Sequence, residues 1–348
     1  MDIIREHFGM YNDRMVTKIT LENDNGVAIS CMTLGAAWTA FKVPRPNGTK
    51  KNLLLSFDTP AEYSQMLVGQ TVGRVGGRIA KAKFKLNGKQ YHLEANEGEN
   101  LLHGGKNGFQ AQNWNYSTSR NKNSISAIFQ KEIKEENDGF PGNILATIIY
   151  TLTNNNQVII AYSALGDPKQ DTLFNPTSRA FFNLSEHDNL STTDLEINTH
   201  EMLQLDDESL PTGQIVQVDG TPWDFSKMRN MKEALLSNNM QGYDAAYIVN
   251  EPGQATKPVA VLRDTETGRQ LTINSDRNGL CLYTMNHIHG KNVSYSGDAG
   301  KPAHVFEGLS LEAQTLPDAI NQENFGDIVL KHGEKKTYRT MYTYSMNN

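Results

Sequence analysis

The sequence predicts an all-β protein made of packed, mainly antiparallel sheets, on three observations. Hairpin signals recur along the chain, helical signals are thin, and nothing divides its 348 residues into separate units. The hairpins weigh most, because an Asn-Gly pair between two alternating runs supplies the positive φ angles that a two-residue turn needs. Val16–Glu22 alternates apolar and polar side chains, turns at Asn25-Gly26 and returns through Val27–Met32. Phe84–Leu86 and Tyr91–Leu93 flank Asn87-Gly88, Ile144–Thr153 and Gln157–Leu165 flank Asn154–Asn156, and Val259–Leu262 and Gln270–Asn274 flank Thr267-Gly268. Leu280–Met285, Val305–Gln314, Ile328–Leu330 and Tyr338–Tyr344 read as the closing strands. Helical periodicity is confined to Ala61–Met66 and Lys232–Leu236, which are too short to organise a core. With no Ser/Gly linker, fixed-period repeat or low-complexity tract, residues 1–348 read as one domain. That many strands imply two packed sheets with long loops.

Composition narrows the partners. The 33 basic and 39 acidic residues give a net charge of −6, which leaves no surplus of cations for nucleic-acid phosphates. The N-terminal MDIIREHFGMYNDR breaks its apolar residues with charges, unlike a signal peptide, and no 18-residue apolar run offers a membrane span. Cys31 and Cys281 lie far apart in apolar β-like settings, which points to buried thiols in a reducing cytoplasm. A small neutral or weakly charged ligand fits this balance, on a monomer or homodimer.

The common cofactor and nucleophile signatures are missing. There is no GxGxxG or GxxxxGK[ST], and Gly73–Arg78 does not open a helix as a phosphate loop does. No GxSxG elbow occurs. His287-Ile-His289 places two imidazoles on one face of an expected strand without a third ligand nearby, so a metal site is disfavoured against a structural or exposed pair. What remains is a set of polar residues in unusual settings. Arg74 and Arg78 bracket Gly76-Gly77, His103 precedes Gly104-Gly105, Arg179 precedes Phe181-Phe182, and Asp244 follows Gly242-Tyr243. On the run Val305–Gln314, Leu309 and Leu311 share one face, so Ser310, Glu312 and Gln314 share the other. That polar face is either a solvated outer surface or the floor of a site. The pair Glu312 with Asp244 or Asp318 also admits a two-carboxylate glycoside hydrolase.

Taken together, these blocks resemble the aldose 1-epimerase, or galactose mutarotase, family. The resemblance runs through Gly77-Arg78-Ile79, Leu102–Gly105, Asp138–Gly142, Asn175-Pro-Thr177 and Phe182-Asn-Leu184. It continues through Leu210–Gly213, Gly220–Phe225, Gly242-Tyr-Asp244, Leu311–Gln314 and Pro317-Asp-Ala319. The blocks keep the family's order from about Asn25 to Tyr344. The resemblance implies a β-supersandwich whose cleft binds a free hexose and interconverts its α and β anomers without a cofactor. It places Glu312 as general base, His103 as one of two active-site histidines, Arg78 as a sugar-binding arginine and Asp244 as a carboxylate accepting sugar hydroxyls, with Gln314 beside the base. Trp38, Trp114 and Trp223 are candidates to pack on the sugar, although core burial is the default for all three.

The pattern breaks at two places. The family's second histidine, its ring-oxygen acid, falls on Arg179 here, and Ala245-Ala246 stands where a His often follows the Asp. A guanidinium stays protonated far above neutral pH and is a poor proton donor, though it stabilises negative charge. Three readings follow: a working mutarotase in which His103 or a water on Arg179 gives the proton, a relative retuned for an anionic sugar, or a sugar-binding protein with little catalysis.

Overall fold

The computed structural model describes residues 1–249, 257–287, 294–296 and 301–347. Three antiparallel sheets carry most of it. The N-terminal sheet has five strands in sequence order, Asp2–Tyr11, Arg14–Glu22, Ala28–Met32, Ala37–Pro44 and Lys50–Asn52. The largest has nine, in the order Asn115–Arg120, Ser124–Ile133, Ile144–Thr153, Gln157–Gly166, Lys335–Met346, Arg269–Ser275, Ala260–Asp264, Thr193–Ile197 and Arg229–Asn230. Its register confirms the expected hairpins, with Leu152 opposite Val158 and Arg263 opposite Gln270. The third sheet has six strands, in the order Phe181–Phe182, Leu309–Gln314, Gly279–Tyr283, Asp244–Ile248, Glu201–Leu205 and Pro211–Gln217.

The inner faces of all three sheets meet in one apolar cluster. Ile29, Trp38 and Phe41 come from the five-stranded sheet, Ile148, Tyr150 and Ile160 from the nine-stranded one, and Leu280, Leu282, Leu309 and Leu311 from the six-stranded one. Trp38 is its aromatic centre, with Phe41, Phe182 and Tyr342 ring centroids 5.4, 5.9 and 5.1 Å away. Leu309, Leu311 and Ala313 alternate into this core, which fixes the register of their strand: a one-residue slip would put Ser310, Glu312 and Gln314 there instead. Both faces of that strand are buried, so the polar face is not a solvated exterior.

Short strand pairs lie over the polar face. Arg78–Ile79 pairs with Leu101–Leu102, and Thr71–Val72 with Thr177–Ser178. They are braced by Arg74, which is fully buried and bidentate to Asp138 at 2.7 and 3.0 Å. Its Nη1 also donates to the Gly142 carbonyl at 2.7 Å and to Thr172 at 3.0 Å. The Asp138–Gly142 block and Arg74 therefore form one strut.

Several expectations need correction. The closing strand is Leu309–Gln314 and not Val305–Gln314, because Phe306 takes a left-handed φ of 63° and the preceding residues turn. Gly279–Tyr283 ends before Met285, whose φ of 54° leaves the extended region. His287 is consequently not on a strand, and His289 lies outside the described residues. The N-terminal strand Asp2–Tyr11 was not readable, since exposed charges interrupt its alternation. The two expected helices fall at Pro60–Met66, with a Thr59/Glu62 capping box, and at Met231–Ser237, capped by Asn230, and a further single turn forms at Glu135–Asp138. No helix among the described residues is long and apolar enough to cross a membrane.

Candidate active site

The polar face of Leu309–Gln314 is the floor of a cavity of about 190 Å³. Glu312, His103, Arg78, Asp244, Arg179 and Gln314, all singled out from the sequence, line it together. They come from five separate stretches of chain, and the folding that unites them is the six-stranded sheet with the short pairs above it.

Glu312 is 4% exposed and stands opposite Cys281 on the neighbouring strand. Its Oε1 accepts from Arg179 Nε at 3.2 Å and from the Ser310 hydroxyl at 3.3 Å. Burial raises the Glu312 pKa above the ordinary carboxylate range, and the Arg179 charge and hydrogen bond only partly oppose that. A carboxylate of raised pKa lies closer to the pH at which proton transfer is most effective. Arg179 is held from behind, where its backbone exchanges hydrogen bonds with Gly69 (2.7 Å) and Gln70 (3.0 Å). Its guanidinium also lies near the rings of Phe181 and Tyr283, at 5.6 and 5.9 Å.

His103 is locked into one state by its own turn. Its backbone N–H donates to the Gly77 carbonyl at 2.9 Å, and its Nδ1 accepts the Gly77 N–H at 3.1 Å. An accepting Nδ1 leaves Nε2 as the protonated nitrogen of a neutral ring. Burial, with the charges of Arg179 and Arg78, pushes the His103 pKa well below the ordinary imidazole value. The backbone there is left-handed, with φ of 54° at His103. At the following Gly104 an added Cβ would come 2.0 Å from the Gly73 carbonyl oxygen, so only glycine fits.

Arg78 donates to both oxygens of Glu97, at 2.5 and 2.9 Å, and its Nη1 stands 3.9 Å from Asp244. Asp244 begins the strand Asp244–Ile248 opposite Tyr283, with its side chain well exposed to the cavity mouth. Gln314 donates to Cys281 Sγ at 3.1 Å, and its Oε1 is buried without a hydrogen-bond partner among the described residues. That oxygen explains Gly76, whose Cβ would stand 2.5 Å from it.

Other candidates fall elsewhere. Asp318 is buried and accepts from the Ala80 N–H at 3.1 Å and Asn321 at 2.8 Å, away from the cavity, so it cannot pair with Glu312. Trp38 and Trp114 are core residues. Trp223 is half-buried and lines an adjoining cleft. Cys31 is buried as expected, whereas Cys281 is only partly covered and forms cavity wall; both thiols are free. The sequence reading missed Glu97, Tyr283 and the lining role of His287. Only Tyr283 left a usable signal, since it shares the Gly279/Cys281 face that register puts beside Glu312.

A buried carboxylate of raised pKa, a neutral imidazole and two carboxylate-paired arginines thus share one cavity of a β-sandwich, an arrangement able to do acid–base chemistry. Residues 17–343 match the family described as aldose 1-epimerase, and the chain belongs to that family. It is 41% identical to an aldose 1-epimerase of Streptococcus thermophilus over 99% of both chains. It is 36% identical to a maltose epimerase of Levilactobacillus brevis, again over 99% of both. A crystal structure of a galactose 1-epimerase from Lactobacillus acidophilus superposes with a TM-score of 0.85 at 26% identity, covering 100% of this chain and 99% of the other. The fold is that of the galactose mutarotases, and the chain is an aldose 1-epimerase-like isomerase that interconverts sugar anomers.

Proposed function

We propose that the substrate is a free, neutral aldohexose, that Glu312 removes the anomeric hydroxyl proton, and that His103, Arg78, Asp244, Arg179 and Gln314 hold the sugar. The carrying observation is Glu312 itself: a carboxylate 4% exposed, of raised pKa, rigid on a paired strand and open to a cavity. His103 Nε2–H and the guanidiniums donate to sugar oxygens, and Asp244 accepts from hydroxyls. Arg179, one bond from Glu312, stabilises the carboxylate form of the base at rest.

The lining disfavours an anionic sugar. It carries two guanidiniums, Arg78 and Arg179, and the His287 imidazole against three carboxylates, Glu97, Asp244 and Glu312, with His103 neutral. Arg179 is already paired with Glu312, so a phosphate or uronate would meet no surplus of positive charge. Polarimetry of freshly dissolved α-galactose, α-glucose and glucose 6-phosphate tests this. Acceleration of the neutral sugars is expected; acceleration restricted to the phosphate would overturn it.

A second reading concerns a glycosylated aldose. The cavity shares Leu205, Asp244 and Ala245 with a cleft of about 400 Å³ lined by Trp223, Met202 and Gln217. An indole beside a sugar cavity offers a face for a second pyranose, and the Levilactobacillus brevis relative is named a maltose epimerase. Trp223→Ala is expected to raise KM for α-maltose about tenfold and leave KM for α-glucose unchanged. Equal effects on both sugars would remove this reading. The two free thiols support a reducing, cytoplasmic setting.

A further inference from the structure

Ring opening of an aldose needs a proton delivered to the ring oxygen while one leaves the anomeric hydroxyl, and the cavity wall offers few groups able to give it. His103 is neutral with Nδ1 occupied, and its imidazolium is disfavoured by burial and by two arginines. Arg78 and Arg179 hold their protons too tightly at neutral pH. Glu97 is spent on Arg78. Burial pushes the Cys281 thiol and the Tyr283 hydroxyl upward, away from exchange near neutrality. Asp244 is exposed at the cavity mouth, 3.9 Å from the Arg78 guanidinium, where it is placed to accept.

One imidazole is left. His287 lines the cavity with Arg179, Tyr283 and Glu312, and its backbone N–H donates to the Tyr283 hydroxyl at 3.2 Å. That bond moors it beside Tyr283, whose ring adjoins Arg179, whose Nε touches Glu312. His287 also borders an adjoining depression with Gln65, Met66, Leu67, Phe181 and Met285, so its side chain stands in an exposed position between two openings. The charged and titratable groups sharing the cavity with it are Arg179, Tyr283, Asp244, Glu312, Arg78, Glu97, His103 and Cys281. Exposure suits it, because an imidazole open to solvent can exchange its proton with water between turnovers.

We propose that His287 is the catalytic acid that replaces the histidine missing at position 179, a reading that rests on Glu312 being the base. As Glu312 takes the O1 proton, the C1–O5 bond breaks, its electron pair moves to O5, and O5 takes a proton from the His287 imidazolium while C1 and O1 become a carbonyl. On closure the imidazole removes the O5 proton, O5 attacks C1, and Glu312 returns its proton to O1. The cycle ends with both residues in their starting states.

The test is the pH profile of kcat for α-glucose in the wild type, His287→Phe and His287→Gln. Both variants are expected to lose roughly 10²–10⁴-fold in kcat, with KM within about twofold. The fall of kcat on the alkaline side should disappear with the imidazole. In the wild type, the pH of that fall should coincide with the His287 titration followed by NMR, a readout that needs no variant to fold. Wild-type kcat within threefold in either variant, or an alkaline limb displaced by more than a pH unit from the His287 titration, overturns the proposal. Glu312→Gln run in parallel separates the two readings: its activity reports on the base alone, whatever His287 does.

Discussion

Two buried arginine–carboxylate pairs serve this fold in opposite ways. Arg74 and Asp138 are both wholly covered, and Arg74 spends its donors on two carboxylate oxygens, two backbone carbonyls at 3.3 Å or less and the Thr172 hydroxyl. Arg179 and Glu312 meet through a single 3.2 Å contact, and both side chains face a cavity. Saturation makes the first pair a strut. Incomplete pairing suits the second to the proposed site, because donors left over can turn to a ligand and a carboxylate whose two partners, Arg179 and Ser310, stand at 3.2 and 3.3 Å can still accept a proton. The number of satisfied hydrogen bonds, more than burial, separates structure from function here.

Experiments can break that distinction. The largest effect is expected from Glu312→Gln, which should lower kcat about 10³–10⁴-fold by polarimetry while the thermal midpoint stays within about 2 °C; retained activity would reduce Glu312 to a structural residue. Arg74→Met should do the reverse. It leaves Asp138 buried and unpaired at a cost of about 3–5 kcal/mol in urea unfolding, with kcat of the folded protein unchanged. A loss of kcat at full stability would mean that the strut belongs to the site.

Arg179→Met sits between them. It removes the cation that opposes the upward pressure on Glu312, so the Glu312 pKa must rise further. The acid limb of the kcat profile should move to higher pH, with about tenfold lower activity at pH 6 and little change in stability. An unmoved limb would show that Arg179 does not govern the base. The smallest effect belongs to an exposed counterpart, Glu186 between Arg45 and Arg269. The Arg45 hydrogen bond first, with help from Arg269, holds its pKa at about 2. Since the folded value lies below the unfolded one of about 4.3, its stabilisation is complete above that pH and is lost as pH falls toward 2. Glu186→Gln should flatten the acid limb of stability by less than about 1 kcal/mol, as solvent screening dictates.

How much could be read from the sequence follows the range of the interactions involved. Asn87-Gly88 specified its hairpin because a two-residue turn with φ of 51° and 79° is settled by those two residues. The cavity residues were legible only as members of ordered blocks, since Arg78, His103, Arg179, Asp244 and Glu312 are brought together by sheet pairing and by no local rule. His287 was misplaced on a strand because the apolar run Leu280–Met285 gives no sign of the left-handed turn at Met285. The extension of the final strand to Val305 failed for the same reason at Phe306. Gln314 was assigned to ligand and lines the cavity; its Oε1, without a hydrogen-bond partner among the described residues and 2.5 Å from where a Gly76 Cβ would stand, adds a packing constraint that no motif encodes.

Glu312 sits on a strand paired from Ser310 to Gln314 with Gly279–Tyr283 and at its start with Phe181–Phe182. The backbone that carries this carboxylate is therefore held on both sides, and its side chain is anchored by Arg179 and Ser310. On the proposed role of Glu312, the half-turn that exchanges one carbonyl face for the other falls to the opened sugar more than to the paired strand. If Glu312 is the base proposed above, both directions of the reaction use the same carboxylate, held on the same paired strand.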